Sequence, residues 1–124
     1  MLTKEIDIYC FATYQTDKSS PENNTFIFSY TIKISNNTNQ NINLLTRHWL
    51  ITDGNAQVRE VYGHGVLGQQ PLILPGECFT YTSYAVLDTA IGFMEGKYKM
   101  SRSDGSVFDA HIQKFNLIQP NAIH

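Results

Sequence analysis

Phe26-Ile27-Phe28-Ser29-Tyr30-Thr31-Ile32-Lys33-Ile34-Ser35 is the stretch that decides the fold. Phe26, Phe28, Tyr30, Ile32 and Ile34 share one side of an extended chain. Ser29, Thr31, Lys33 and Ser35 share the other, with Ile27 as the exception. Successive side chains of a strand point to opposite faces, so this pattern describes a strand with one face in a core and one in water. Upstream, Ile6, Ile8, Cys10 and Ala12 alternate with Asp7, Tyr9 and Phe11, and the polar loop Thr16 to Asn24 separates the two runs. Downstream, Ser35 to Asn41 reads as a turn, because Asn side chains bond their own backbone and tolerate left-handed conformations.

The same logic continues along the chain. A third strand, Ile42 to Thr52, carries the only tryptophan, Trp49, and stops at Asp53-Gly54-Asn55, a short-range hairpin signal. Ala56 to Tyr62 is the returning strand. A glycine- and proline-rich passage then runs from Gly63 to Gly76, and strands resume at Glu77–Ala85 and Phe93–Ser101. Asp104-Gly105 turns the chain into a last strand, Ser106 to Asn116. Helical periodicity of useful length is absent, and Gly, Pro and Asn interrupt wherever a helix would start. The expectation is all-β, with about seven or eight antiparallel strands at the spacing of a β-sandwich or barrel. Trp49 supports a sandwich over a closed barrel, since immunoglobulin-type sandwiches bury a tryptophan in the third strand. It is read as core and given no functional role.

With 124 residues the chain has the size of one domain, read here as residues 1–124. Hydrophobic residues at 42% suffice for a core, while charged residues at 16% fall below the roughly 25% of an average soluble chain. A net charge of −2 supplies no general attraction to nucleic acid or to an anionic membrane. Two cysteines, Cys10 and Cys78, are too few for a disulfide framework, and both lie in strand-like runs where small buried hydrophobes are expected. Met1 to Asp7 lacks the apolar run of a secretory signal, and no stretch approaches the ~18 apolar residues of a membrane span. A cytoplasmic protein with reduced thiols follows.

One segment looks specified by more than folding: Val61-Tyr62-Gly63-His64-Gly65-Val66-Leu67-Gly68-Gln69-Gln70-Pro71. It matches G-x-G-x-x-G, but Pro71 and Pro75 bracket a run too short for the helix that a dinucleotide-binding turn must open. Two readings stay open. The glycines supply positive φ and close backbone approach where the chain crosses between sheets, or successive exposed N–H groups form an anion nest for phosphate or an acidic side chain. In the second reading His64 assists, and Arg47, His48 and Arg59 lie nearby if the hairpin closes as read.

Other chemistry is weakly signalled. His48, His64, His111 and His124 are isolated in sequence, so no metal site is read and no cofactor is expected. Ser83 sits in a strand rather than a nucleophile elbow, and no acid–base pair announces itself. Tyr9, Phe11, Tyr62, Tyr84 and Phe93 lack the basic neighbours of an RNA-binding sheet.

Several long strings carry a family resemblance. Leu44-Leu45-Thr46-Arg47-His48-Trp49-Leu50-Ile51-Thr52-Asp53-Gly54 resembles the signature of the ApaG proteins. So do Gly63-x-Gly65-Val66-x-Gly68-x-Gln70-Pro71-x-x-x-Pro75-Gly76-Glu77, Tyr81-Thr82-Ser83 and Gly92-x-Met94-x-Gly96-x-Tyr98-x-Met100, together with Phe115-x-Leu117-x-x-Pro120 and the terminal His124. The resemblance implies an immunoglobulin or fibronectin type III-like sandwich. It also implies a stand-alone bacterial protein whose family names are linked to cobalt and magnesium efflux. Similar domains are appended to a eukaryotic F-box protein and a polymerase-associated protein, which implies protein interaction rather than catalysis. The family's suggested pyrophosphate binding maps onto Gly63, Gly65 and Gly68, and His64 stands where an acidic residue is frequent. The resulting expectation is a non-enzymatic binding module for an unknown protein partner, with a phosphate or pyrophosphate ligand as the alternative. Polar-faced edge strands leave a homodimer open.

Overall fold

The computed structural model describes residues 5–121; the segment Met1 to Lys4 and His124 lie outside them. Eight strands follow one another: β1 (Ile6–Tyr14), β2 (Phe26–Asn36), β3 (Ile42–Asp53), β4 (Val58–His64), β5 (Leu72–Ile73), β6 (Cys78–Leu87), β7 (Ile91–Arg102) and β8 (Val107–Ile118). Among the described residues the only helical element is a single 3-10 turn, Pro21–Asn23, in the polar loop. One antiparallel sheet has the order β1-β2-β6. The other has β4-β3-β7-β8, with β5 also pairing β3.

The two inner faces enclose one core, built from the alternation that the sequence displays. In β2 every even position from Phe26 to Asn36 is buried. Tyr81, Ala85 and Leu87 answer from β6, and Trp49, Met94, Tyr98, Ile112 and Leu117 from the facing sheet. Trp49 is 2% exposed and meets Tyr30, Phe115 and Tyr98 edge-on, at ring separations of 5.6, 5.9 and 6.3 Å. Such edge-to-face pairs add to the burial of the rings themselves. The Tyr81 and Tyr98 hydroxyls bond each other at 2.5 Å and tie the sheets together through the core. Burial drives both phenols far above their ordinary acidity range, so they stay neutral.

The asparagine-rich turn has an identifiable anchor. Asn36 is fully buried; its amide donates to the Gln40 and Ile73 carbonyls, both at 2.8 Å. Its carbonyl accepts from the Thr38 N–H and hydroxyl, at 2.9 and 2.7 Å. A buried amide with this many partners carries no desolvation penalty, and it pins β5 beside the turn.

Two bulges reset the alternation. In β3, Leu44 pairs with Met100 and Thr46 with Lys99, so Leu45 is an extra residue. In β8, Gly96 and Met94 pair with Ile112 and Phe115, leaving Gln113 and Lys114 opposite Glu95. Each extra residue reverses the face taken by everything beyond it. Ile42 and Leu44 are therefore buried before the first bulge, and Trp49 and Ile51 after it.

The cysteines separate. Cys10 packs against the core, as expected, and burial pushes its thiol up to about 11. Cys78 corrects the expectation: it points outward at the start of β6, 3.3 Å from the Ser35 hydroxyl. Thiolate is the reactive form, so one thiol and not two is expected to react promptly with a disulfide reagent at pH 8 in the folded protein. Denaturant should release the second, and equal rates for both in the folded state would contradict this placement.

Candidate functional site

The glycine segment begins where β4 ends. Gly65 has φ +61, and its N–H donates to the Leu45 carbonyl at 2.8 Å. The Gln70 side chain donates to that same carbonyl at 2.9 Å, so the β3 bulge supplies the acceptor that anchors the loop. Val66 and Gln69 then exchange both backbone hydrogen bonds, at 2.8 and 2.9 Å. Leu67 and Gly68 between them have φ 49 and 74, the signature of a two-residue type I′ hairpin. The segment is thus a tight hairpin that uses most of its own amides. The amides of Gly65, Val66 and Gln69 are spent within the hairpin, so the Gly63, Gly65 and Gly68 nest that the resemblance implies does not form as a set.

Arg47 is the cation that reaches this hairpin. It pairs with Gly63 across β3 and β4, and its guanidinium lies flat over that residue. A Cβ at Gly63 would sit 2.7 Å from the guanidinium carbon, so the missing side chain is the space that Arg47 occupies. Arg47 Nη1 donates to the carbonyls of Gly65 and His64, at 2.9 and 3.3 Å. A pocket of about 160 Å³ opens beside it, lined by Tyr30, Arg47, Val66, Leu67, Gly68, Tyr81 and Ser83. Tyr30 and Ser83 are direct cross-strand partners in β2 and β6. Burial pushes the Tyr30 phenol up, and the Ser83 hydroxyl and the Arg47 charge pull it partly back.

The remaining expected residues do not join them. Arg59 pairs with Ile51 and donates to the Val86 carbonyl at 3.1 Å, bridging the two sheets elsewhere. Four strand residues from Gly63 correspond to roughly 13 Å, too far for a shared site. His64 contributes its carbonyl, while its exposed ring lies beside Tyr62, at 6.2 Å between ring centres. His48 is on the opposite face. Tyr30 and Ser83 were missed by the sequence reading, although a serine at an inward position of β6, between Tyr81 and Ala85, is the signal that marks them.

The outer face of the larger sheet is the second candidate. Two depressions of about 600 and 320 Å³ adjoin there, both lined by His48 and Lys97. Leu50, Glu95, Gly96, His111 and Lys114 continue the larger one, and Glu60, Tyr62, Lys99 and Asp109 the smaller. His48 lies 3.3 Å from Glu60 and Lys97 lies 3.6 Å from Asp109. Tyr62 and Val58 of β4 stand 63% and 61% exposed at its border. No group of three or more metal-ligating side chains converges among the described residues, and no helix there is long and apolar enough to cross a membrane.

Comparison with known proteins places these features in a family. The family model described as DUF525, the ApaG domain, matches residues 16–102, spanning β2 through β7 and therefore the glycine hairpin, Arg47 and His48. The chain belongs to the ApaG family. Protein ApaG of Pseudomonas entomophila is 49% identical over 120 residues, covering 97% of this chain and 95% of the relative. Protein ApaG of an Azoarcus species is 47% identical over 122 residues, covering 98% and 96%. A crystal structure of the ApaA protein from Bordetella pertussis superposes with a TM-score of 0.91 at 40% identity, covering 94% of each chain. This ApaG-family member therefore shares its sandwich with a close relative along nearly its whole length.

Proposed function

We propose that this ApaG-family protein is a non-enzymatic binding module of the immunoglobulin or fibronectin type III-like type, and that a protein partner docks on the outer face of its larger sheet. The observation that supports this reading is the pair of adjoining depressions meeting at His48 and Lys97. Both depressions lie open on the exposed face of the sheet, which supports contact with a strip of partner surface. Tyr62 supplies the exposed aromatic contact that interfaces favour, and the surrounding lysines, carboxylates and histidines supply the charged contacts of a polar rim. Two contacts cross this face, His48 with Glu60 and Lys97 with Asp109, and polar groups of this kind support recognition of a partner surface. The link of the family's names to cobalt and magnesium efflux is then read as indirect, acting through the partner.

The experiment is partner capture with the purified protein and with a His48→Ala/Tyr62→Ala variant, at near-physiological salt. The surface positions predict a variant that folds normally and enriches the partner at least about tenfold less, as for a central interface pair. Equal enrichment by both proteins, or none by either, defeats the docking face.

A further inference from the structure

Of the strands that end the two sheets, β1, β4, β6 and β8, one is left undefended. An edge strand presents a row of unpaired N–H and C=O groups, and proteins blunt such edges with charges, prolines, bulges or a covering element. β1 and β8 lie against each other across the sandwich. β8 also carries Asp109, Lys114 and its bulge, and β4 carries Arg59 and Glu60. β6 reads Cys78-Phe79-Thr80-Tyr81-Thr82-Ser83-Tyr84-Ala85-Val86-Leu87, with no charged residue, proline or glycine. It pairs β2 along its whole length without a register shift, so no bulge turns its free edge away.

The direction of its backbone groups follows from two hydrogen bonds. The Asn36 N–H donates to the Glu77 carbonyl, so the odd positions of β6 bond β2. Both backbone groups of a strand residue in an antiparallel sheet point the same way, and the direction alternates. Thr80, Thr82, Tyr84 and Val86 therefore turn theirs to the open edge, and Arg59 indeed reaches the Val86 carbonyl from that side. Two depressions of about 150 and 160 Å³ open along the same edge, one beside Val86 and Leu87 and the other beside Tyr81 and Ser83. Charge appears only at the ends of the strand. Glu77 precedes it and Asp88 follows it, both exposed, and neither is in an ion pair among the described residues.

We propose that the open edge of β6 binds an extended segment of a partner protein, added as a further strand of the smaller sheet, uncharged through its middle and with a lysine or arginine at each end. Main-chain hydrogen bonds supply the affinity in this mode of recognition, and the two depressions receive alternate side chains of the added strand. The terminal cations meet Glu77 and Asp88. A second copy of β6 is the poorer occupant. Whichever way two such strands run, acidic residues meet at both ends, and like charges facing each other across strands repel. The edge is separate from the outer face of the larger sheet, so the two proposals stand or fall independently.

The probe is a peptide as long as β6 that alternates threonine and valine and carries a lysine at each end. One control peptide ends in glutamates and another has a proline at its centre. The whole protein is titrated with each, and NMR follows the amide shifts and hydrogen exchange of Thr80, Thr82, Tyr84 and Val86. Saturable shifts and slower exchange at these amides are expected with the lysine-ended peptide. The glutamate-ended peptide should bind about fivefold more weakly, and the proline peptide at least about tenfold more weakly. Glu77→Lys/Asp88→Lys changes two exposed positions, should fold normally, and should reverse the preference between the two charged peptides. Thr82→Pro removes an outward N–H while sparing the bonds to β2, and should weaken binding at least about tenfold. Absence of saturable changes at the β6 amides with the lysine-ended peptide overturns the proposal. So do equal affinities for the two charged peptides in both the parent and the Glu77→Lys/Asp88→Lys variant. Slower exchange at the same amides on concentrating the protein alone would assign the edge to a second copy, and overturns it as well.

Discussion

Gly96→Ala is expected to leave the protein without a cooperative unfolding transition, or to lower its stability by about 4 kcal/mol or more. Gly96 lies in β7, between Trp49 of β3 and Ile112 of β8, at the centre of the larger sheet. A Cβ there would stand 2.0 Å from the His48 carbonyl oxygen, 3.1 Å from its carbon and 3.2 Å from the Trp49 Cα. All three are backbone atoms of the neighbouring strand, so no rotamer change relieves the clash. The strands must separate, and Trp49, which is held between Tyr30, Tyr98 and Phe115, loses its packing with them. A loss of that size consumes much of the about 5–15 kcal/mol by which domains are stable. Urea unfolding followed by Trp49 fluorescence is the measurement. A midpoint within about 1 kcal/mol of the parent would show that the strands tolerate the separation.

How far the fold could be read in advance depended on where alternation is unbroken. In β2 the buried positions run evenly from Phe26 to Asn36, and the sequence shows the same period. β3 is different. Counting alternately from Ile42 and Leu44 puts Arg47 outside the sandwich and His48 inside it. The extra residue at Leu45 reverses this, so Arg47 enters the interior with Trp49 while His48 joins the outer face. A bulge is invisible in a hydrophobic pattern, because Leu44-Leu45 reads equally well in either register.

That inversion explains why the candidate residues were only partly assembled from sequence. Of the three glycines in the pattern, Gly65 and Gly68 adopt positive φ and Gly63 does not, a distinction the pattern does not carry. The arginine that serves the hairpin could not be told from Arg59, which closes the other end of the β4 edge through Val86. Tyr30 and Ser83 meet Arg47 only across the gap between two sheets, a juxtaposition that no local spacing encodes. The two-residue strand β5 was also missed, since its pairing with Ile42 and Asn43 and the Asn36 hydrogen bond specify it, not its own composition. Cys78 was misread as a buried hydrophobe, although alternation from Tyr81 outward places it on the solvent side.

The two hairpin glycines should answer substitution very differently, although their φ angles are similar. At Gly65 a Cβ would sit 1.9 Å from the Gln69 carbonyl oxygen, the atom that accepts the Val66 N–H and closes the hairpin. Gly65→Ala must therefore open the turn, and opening it frees the Gly65 carbonyl that holds Arg47. The expected loss is about 3 kcal/mol or more, combining backbone clash with left-handed strain. At Gly68 the corresponding position meets nothing within 4 Å, so only the left-handed conformation at φ 74 is penalised. Gly68→Ala should cost about 1–2 kcal/mol. Thermal unfolding of both variants measures the difference, and the Arg47 side-chain resonance tells whether its anchor persists. That resonance should move in Gly65→Ala and stay in place in Gly68→Ala. Equal losses from the two would mean that the hairpin closure at Gln69 does not hold the loop, and the shape of the Arg47 pocket would then need another cause.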